Sequence, residues 1–224
     1  MNAHGEESVD REVRVQVGGV VVGGHLTVPD GARGLVIFAH GSGSSRHSPR
    51  NQYVAGVLNR AGLGTLLFDL LTPEEEADRR NVFDVELLAR RLGDVTAWVR
   101  AEPALADLRL GYFGASTGAG AALWAAAAPD SGVLAVVSRG GRPDLAAQHL
   151  SAVRAPTLLI VGGADDVVLE LNQGAQRLLR CESRLAVVPG ATHLFEEPGT
   201  LESAAALARD WFLARLGSPV AGEG

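Results

Sequence analysis

Short apolar runs and amphipathic segments alternate along most of the chain. The first two runs, residues 12–17 and 20–29, are joined by Gly18 and Gly19 and predict an antiparallel β-hairpin. The later runs are apolar throughout, which is typical of strands that a parallel sheet buries on both faces. We predict such strands at residues 34–40, 65–70, 108–115, 133–141, 156–163 and 183–191.

Segments with apolar residues at helical spacing separate these strands. The segment 48–62 begins with Ser-Pro and ends at a glycine, which are start and stop signals for a helix. We predict helices at residues 48–62, 81–102, 117–128, 143–153, 168–180 and 201–216. Strands alternating with helices predict an α/β fold: a mostly parallel sheet with helices on both faces and the hairpin as its antiparallel edge.

Length and composition narrow the class of protein. The chain of 224 residues suits one α/β domain, which we expect at 11–217 with flexible termini at 1–10 and 218–224. A net charge of −6 argues against nucleic acid as a partner, because phosphate contacts need clustered Lys and Arg. No apolar run approaches a membrane span, and the acidic N-terminus does not resemble a signal peptide. With Cys181 as the single cysteine, we expect a cytoplasmic protein without an internal disulfide.

A G-x-S-x-G motif lies at residues 114–118, between a predicted strand and a predicted helix. Such a turn forces a strained backbone on Ser116, and the small residues around it make room for the turn. The hydroxyl is lifted above the sheet edge at a helix N-terminus, where N–H groups favour developing negative charge. Ser116 is therefore the candidate nucleophile, and the alternative is a glycine-rich turn without chemistry.

A serine hydroxyl needs a base to take its proton, and His193 follows the last predicted strand. Imidazole titrates near neutral pH and suits that role. The imidazole in turn needs an acid, for which Asp165 and Asp166 follow the strand at 156–163. We favour Asp165, because Asp166 would otherwise cap the next helix. The resulting chain order of serine, acid and histidine matches one known triad architecture.

Two backbone donors are needed to hold the oxyanion of an acyl-transfer intermediate. We expect one to be the N–H of Thr117, directly after the nucleophile. The other is expected in the loop at residues 40–45, from Ser42, with Gly43 as the alternative. Glycines in that loop let the backbone approach a substrate. His40 is expected to brace the loop through hydrogen bonds.

Over nearly its whole length the chain resembles the α/β-hydrolase superfamily. The motifs are "HGSGSS" for the oxyanion loop, "GASTG" for the nucleophile, "GGADDVV" for the acid and "GATHLF" for the base. The chain is most similar to the dienelactone-hydrolase-like group, whose members are compact and lack a large lid domain. The resemblance implies an eight-stranded sheet and hydrolysis of small esters or lactones through an acyl-enzyme, without metal or organic cofactor. One departure is Ser116, where the founding dienelactone hydrolases carry a cysteine nucleophile.

Arginines flank the predicted site. Arg46 and Arg50 lie beside the oxyanion loop, and Arg139 and Arg142 lie at the end of the strand at 133–141 and just after it. An arginine pair can hold a carboxylate or phosphate bidentately. One hypothesis is therefore an anionic substrate bound by Arg46, Arg139 and Arg142. The alternative, which the sequence alone favours, is that these arginines form ordinary ion pairs.

Two other functions stay open on the sequence. The same triad supports acyl transfer or perhydrolysis, and a non-catalytic protein of this fold would bind a small ligand. The presence of all three triad candidates favours the enzyme. The sequence does not separate a monomer from a homodimer, in which Trp211 and Phe212 of the last predicted helix are candidate contacts.

Overall fold

The computed structural model describes residues 8–217. Eight strands form one sheet, as the resemblance implies. The strands are β1 (Val9–Val17), β2 (Val20–Val28), β3 (Gly34–Ala39), β4 (Gly64–Phe68), β5 (Arg109–Ala115), β6 (Ala135–Arg139), β7 (Thr157–Gly162) and β8 (Ser183–Val188). Their order across the sheet is β1-β2-β4-β3-β5-β6-β7-β8. The predicted hairpin is confirmed as the antiparallel edge, and the strands from β4 to β8 pair in parallel.

At the N-terminus the structure differs from the sequence expectation. Of the termini expected to be flexible, residues 1–7 and 218–224 lie outside the described residues, but β1 already begins at Val9. Val9 pairs with Val28 and Asp10 pairs with Thr27 in the ladder with β2. Backbone pairing within the hairpin orders these positions, and Val9 also packs against the core.

Seven α-helices flank the sheet within residues 8–217. They are α1 (Pro49–Arg60), α2 (Pro73–Glu76), α3 (Arg79–Val82), α4 (Val85–Ala101), α5 (Thr117–Ala126), α6 (Asp166–Leu178) and α7 (Thr200–Leu216). The long helix predicted at 81–102 begins later, at Val85, because the Asp84 carboxylate accepts a hydrogen bond from the N–H of Leu87. The preceding residues form the short α3 instead.

The helix predicted at residues 143–153 is not formed. Two short 3₁₀ helices, Pro143–Ala146 and Leu150–Ala152, take its place. The segment is packed against α5 and α6, and it buries Ala146 and Leu150 in the core. We infer that burial of these two side chains outweighs the helical spacing of the segment.

The core lies on both faces of the sheet. Alternate residues of a strand point to opposite faces, so Leu35 and Ile37 join one apolar cluster while Val36 and Phe38 join the other. All four side chains are at most 1% exposed. This double burial explains why inner strands such as β3, β4 and β7 are almost entirely apolar, and it leaves the loops at the carboxyl edge to carry the polar side chains. No helix within residues 8–217 combines the length and apolar character that crossing a membrane requires.

Candidate active site

Ser116 stands at the turn between β5 and α5 with a strained backbone. Its φ of 51° and ψ of −122° are rare for an L side chain. A Cβ added at Gly118 would stand 2.2 Å from the carbonyl oxygen of Ala39. A Cβ added at Gly114 would stand 2.4 Å from Cα of Ala119. The glycines of the motif therefore let the start of α5 pass close to β3 and β5, which presents Ser116 at the edge of the sheet.

The loops after β7 and β8 bring Asp165 and His193 together. The Nδ1–H of His193 donates to Oδ2 of Asp165 across 2.7 Å. The Asp165 side chain is 14% exposed and the imidazole is 38% exposed. With its hydrogen on Nδ1, the imidazole presents Nε2 as the nitrogen that can accept a proton.

Asp165 caps α6, whereas the sequence predicted that Asp166 would be the cap. Asp165 is itself the N-cap of α6, with Oδ1 at 3.5 Å from the N–H of Val168. Asp166 is the first residue of the helix and is exposed. One carboxylate thus faces both the helix start and the histidine, because its two oxygens point in different directions.

Ser116 and His193 line one cavity of about 270 Å³ at the carboxyl edge of the sheet. The oxyanion loop contributes Gly41 to the same wall, where an added Cβ would stand 3.1 Å from Cβ of Ser116. On the other side, a Cβ added at Gly140 would stand 3.7 Å from Cε1 of His193. The cavity is thus large enough for a small substrate and is bordered by the predicted nucleophile and base.

A hydrogen bond joins Ser42 and Thr117, the two residues whose N–H groups were predicted to hold the oxyanion. The N–H of Ser42 donates to Oγ1 of the buried Thr117 across 2.8 Å. Thr117 is also the first residue of α5, so its own N–H is one of the helix-start donors without an intrahelical acceptor. The sequence gives no signal for the bond to Ser42, because it does not indicate where the Thr117 hydroxyl points.

The imidazole of His40 makes two hydrogen bonds that hold the oxyanion loop in place. The N–H of Leu70 donates to Nε2 across 3.0 Å, so Nδ1 carries the hydrogen and donates to the carbonyl oxygen of Gly41 at 2.9 Å. Both contacts use the neutral imidazole, and burial lowers the pKa of His40. The side chain links the loop after β3 to the chain after β4.

Two of the three arginines named in the anionic-substrate hypothesis form ion pairs with carboxylates, which is the alternative that the sequence favoured. The Arg46 guanidinium contacts the carboxylates of Asp69 and Glu12. The Arg142 guanidinium donates to both oxygens of Asp144, at 2.8 and 2.7 Å. Neither side chain lines the cavity of Ser116. Both guanidinium groups therefore have carboxylate partners outside this cavity.

Arg139 does line the cavity, and it is only 6% exposed. Burial, with a smaller effect of the nearby Arg50, lowers the pKa of Arg139 to about 10. Arg50 lies in the first turn of α1 and lines the same cavity. The sequence located it beside the oxyanion loop, but the hypothesis of an anionic substrate did not include it.

A second, larger cavity of about 590 Å³ adjoins the first, because both are lined by Ser42 and Ser44. Its outer wall comes from the short helices α2 and α3 and the residue after them. Phe83 at this wall is 53% exposed, so the wall offers an apolar surface. The other residues of the wall are Glu76, Arg79 and Val82.

Comparison with solved structures supports the fold that the sequence indicates. The crystal structure of a dienelactone hydrolase from Anabaena variabilis matches with a TM-score of 0.91 at 55% identity, over 93% of this chain and 99% of that chain. Est1E from Butyrivibrio proteoclasticus has the same fold, with a TM-score of 0.79 at 14% identity, over 92% of this chain and 99% of that chain.

Two curated relatives come from two strains of Mycobacterium tuberculosis, and both carry the provisional name of phosphoribosyl transferase. They are 68% identical to this chain over 210 residues, which is 94% of this chain and 47% of each relative. The chain therefore spans about half the length of the curated relatives it matches. No family model matches the sequence.

Proposed function

The chain belongs to the dienelactone-hydrolase-like group of the α/β-hydrolase superfamily, and on that premise we propose that it is a serine hydrolase of small carboxylic esters or lactones. One observation carries the proposal: His193 contacts Asp165 at 2.7 Å and shares a cavity with Ser116. A base that is held by an acid and stands at the same cavity as a strained serine is the arrangement that acyl transfer needs.

In the acylation step, Ser116 is the nucleophile. Its Oγ attacks the carbonyl carbon of the substrate while Nε2 of His193 takes the hydroxyl proton, and the carbonyl oxygen becomes an oxyanion. The carboxylate of Asp165 keeps the imidazole in the Nδ1–H tautomer and stabilises the imidazolium. His193 then gives its proton to the leaving alcohol as the ester C–O bond breaks, which leaves an acyl group on Ser116.

The backbone N–H groups of Thr117 and Ser42 hold the oxyanion. The Thr117 N–H stands at the start of α5, where the helix dipole also favours negative charge. The Ser42 N–H donates to the Thr117 hydroxyl in the free protein. The substrate oxygen therefore replaces that hydroxyl as the acceptor, and one neutral hydrogen bond is exchanged for a stronger one to a charged oxygen.

Deacylation reverses the proton transfers with water in place of the alcohol. Nε2 of His193 takes a proton from a water molecule, whose oxygen attacks the acyl carbon. The second oxyanion collapses as His193 returns the proton to Oγ of Ser116 and the acid product leaves. An alcohol or hydrogen peroxide in place of water would give acyl transfer or perhydrolysis on the same residues.

The name of the M. tuberculosis relatives belongs to proteins that are about twice as long as the matched segment. The esterase chemistry belongs to the 210-residue segment that this chain shares with them. A hydrolase unit joined to a second activity is compatible with that name, because the two reactions would use separate parts of the longer protein.

The test combines labelling with turnover. A fluorophosphonate probe should label the wild-type protein at Ser116 and should not label Ser116→Ala, and a panel of short 4-nitrophenyl esters and lactones should be hydrolysed by the wild type. Ser116→Ala should fold normally and lose roughly 10⁵- to 10⁶-fold in kcat, because the members of a triad act as a unit. Absence of both labelling and turnover would favour a non-catalytic ligand-binding protein, and near-native turnover by Ser116→Ala would contradict the assignment.

A further inference from the structure

Arg139 is a buried cation without a carboxylate beside it. The side chain is 6% exposed, and its Nε has no hydrogen-bond partner. Among the described residues, no carboxylate lies within ion-pair distance of its guanidinium, in contrast to Arg46 and Arg142. A buried charge without a counter-ion is unfavourable, so natural proteins rarely keep one unless a ligand completes the site.

The contacts that Arg139 does make compensate only in part for its burial. The guanidinium carbon stands 5.6 Å from the centre of the Phe195 ring, in a cation–π contact that is weaker than an ion pair. Phe195 has a φ of 56°, so the loop after His193 holds a strained residue against this arginine. Arg139 thus lines the cavity with a charge that this contact leaves without a counter-ion.

A second cation faces the same space. Arg50 lines the cavity and is close enough to Arg139 to lower its pKa, because like charges oppose each other. Arg50 has a carboxylate partner, Glu196, but their contact is 3.4 Å long and mostly exposed. None of the described residues that line the cavity is an aspartate or a glutamate. Two arginines and no acidic residue among the described residues thus line the cavity that holds Ser116.

We propose that Arg139 and Arg50 form a subsite for an anionic group of the substrate, a carboxylate or a phosphate, beside Ser116 and His193. The inference rests on the proposed function, since it describes which esters that active site prefers. An anion between the two guanidinium groups would pair with both and relieve their mutual repulsion. The larger adjoining cavity, with Phe83 at its wall, is then available to the uncharged part of the substrate.

The first experiment compares two matched esters. Mono-4-nitrophenyl adipate carries a free carboxylate that is too far from its ester carbonyl to form a five- or six-membered anhydride, and its methyl ester has the same acyl chain without the charge. The wild type should prefer the anionic ester in kcat/KM, and Arg139→Gln should lower this preference by about 10- to 100-fold. Arg209→Gln removes the same charge from the exposed face of α7 and is the control for long-range electrostatics. An unchanged preference in Arg139→Gln, or no preference in the wild type, would overturn the subsite.

Because a buried arginine also contributes to packing, two further variants keep the test decisive. Arg139→Lys retains the charge without the planar fork and should retain part of the preference. Arg50→Gln changes a less buried residue and should lower the preference even if Arg139→Gln does not fold. A full preference in Arg50→Gln together with a full loss in Arg139→Lys would indicate a packing role for Arg139 and contradict a shared anion site.

The second experiment measures binding without turnover. In Ser116→Ala protein, sodium glutarate and sodium phosphate should raise the melting temperature above that in sodium chloride of equal ionic strength, and the double variant with Arg139→Gln should respond less, because only the general salt effect of these anions is left. The anion whose effect falls more in the double variant identifies carboxylate or phosphate. A response without hydrolysis of any ester would support the subsite and refute the esterase proposal. Hydrolysis without any anion response or preference would do the reverse.

Discussion

Asp165 and Asp166 are identical side chains at adjacent positions, yet only Asp165 contacts His193. The sequence placed both after a buried strand, and that placement alone could not separate them. Helix capping does not separate them either, because Asp165 caps α6 with Oδ1 and contacts the histidine with Oδ2. At the residue scale, the direction of a side chain depends on loop dihedral angles that the sequence pattern does not contain.

The assignment of the acid leads to a prediction at this scale. Asp165→Asn should lower kcat by roughly 10³- to 10⁴-fold, because an amide neither keeps the imidazole in the required tautomer nor stabilises the imidazolium. Asp166→Asn is the matched control, and it should stay within about twofold of the wild type because the residue is exposed. Steady-state kinetics on one neutral ester measure both. Comparable losses in the two variants would mean that Asp165 has no special role.

At the scale of elements, the strands and the order of the site loops were predictable, because a strand buried on both faces must be apolar at every position. The start of α4 and the path of residues 143–153 were not, because capping by Asp84 and burial of Ala146 and Leu150 decide them. The arginines show the same limit of sequence patterns. The sequence favoured ion pairs, but only the structure identifies the carboxylates that pair with Arg46 and Arg142. The location of Arg139 at the sheet edge followed from the strand pattern alone.

The junction of β5 and α5 carries a prediction about glycine. Gly118→Ala should lower the free energy of unfolding by about 1–3 kcal/mol and also lower kcat, since the new Cβ would meet the Ala39 carbonyl and displace Ser116. Gly93→Ala is the control within a helix. Gly93 lies in α4 with nothing within 4 Å of an added Cβ, so alanine should stabilise the protein by about 0.5–1 kcal/mol.

Urea unfolding and ester kinetics on both glycine variants test this pair of predictions. The expected result is opposite signs in stability, with a loss of kcat confined to Gly118→Ala. A Gly118→Ala protein with wild-type stability and kcat would show that α5 can move away from β3 without disturbing Ser116, and that close packing at this turn does not determine the site.

At the scale of the whole molecule, two histidines link folding to pH in opposite directions. Burial lowers the pKa of His40 from its ordinary 6.5, so the unfolded chain binds a proton more readily than the folded one. The hydrogen bond with Glu12 raises the pKa of His25, with burial opposing and a hydrogen bond with Asp10 assisting it. Its side chain is 43% exposed, so solvent screens this contribution. His40 should therefore dominate.

The sign of the effect follows from which state holds the proton. Stability from the neutral His40 is fully present above pH 6.5 and falls as the pH decreases toward its lower folded pKa. The wild type should thus lose unfolding free energy between about pH 7.5 and about pH 5.5. His40→Gln should reduce this loss, and His25→Gln should increase it by removing the opposing contribution. Denaturant unfolding at both pH values measures the three slopes, and equal slopes would mean that acidic pH acts on the fold through other groups than these histidines.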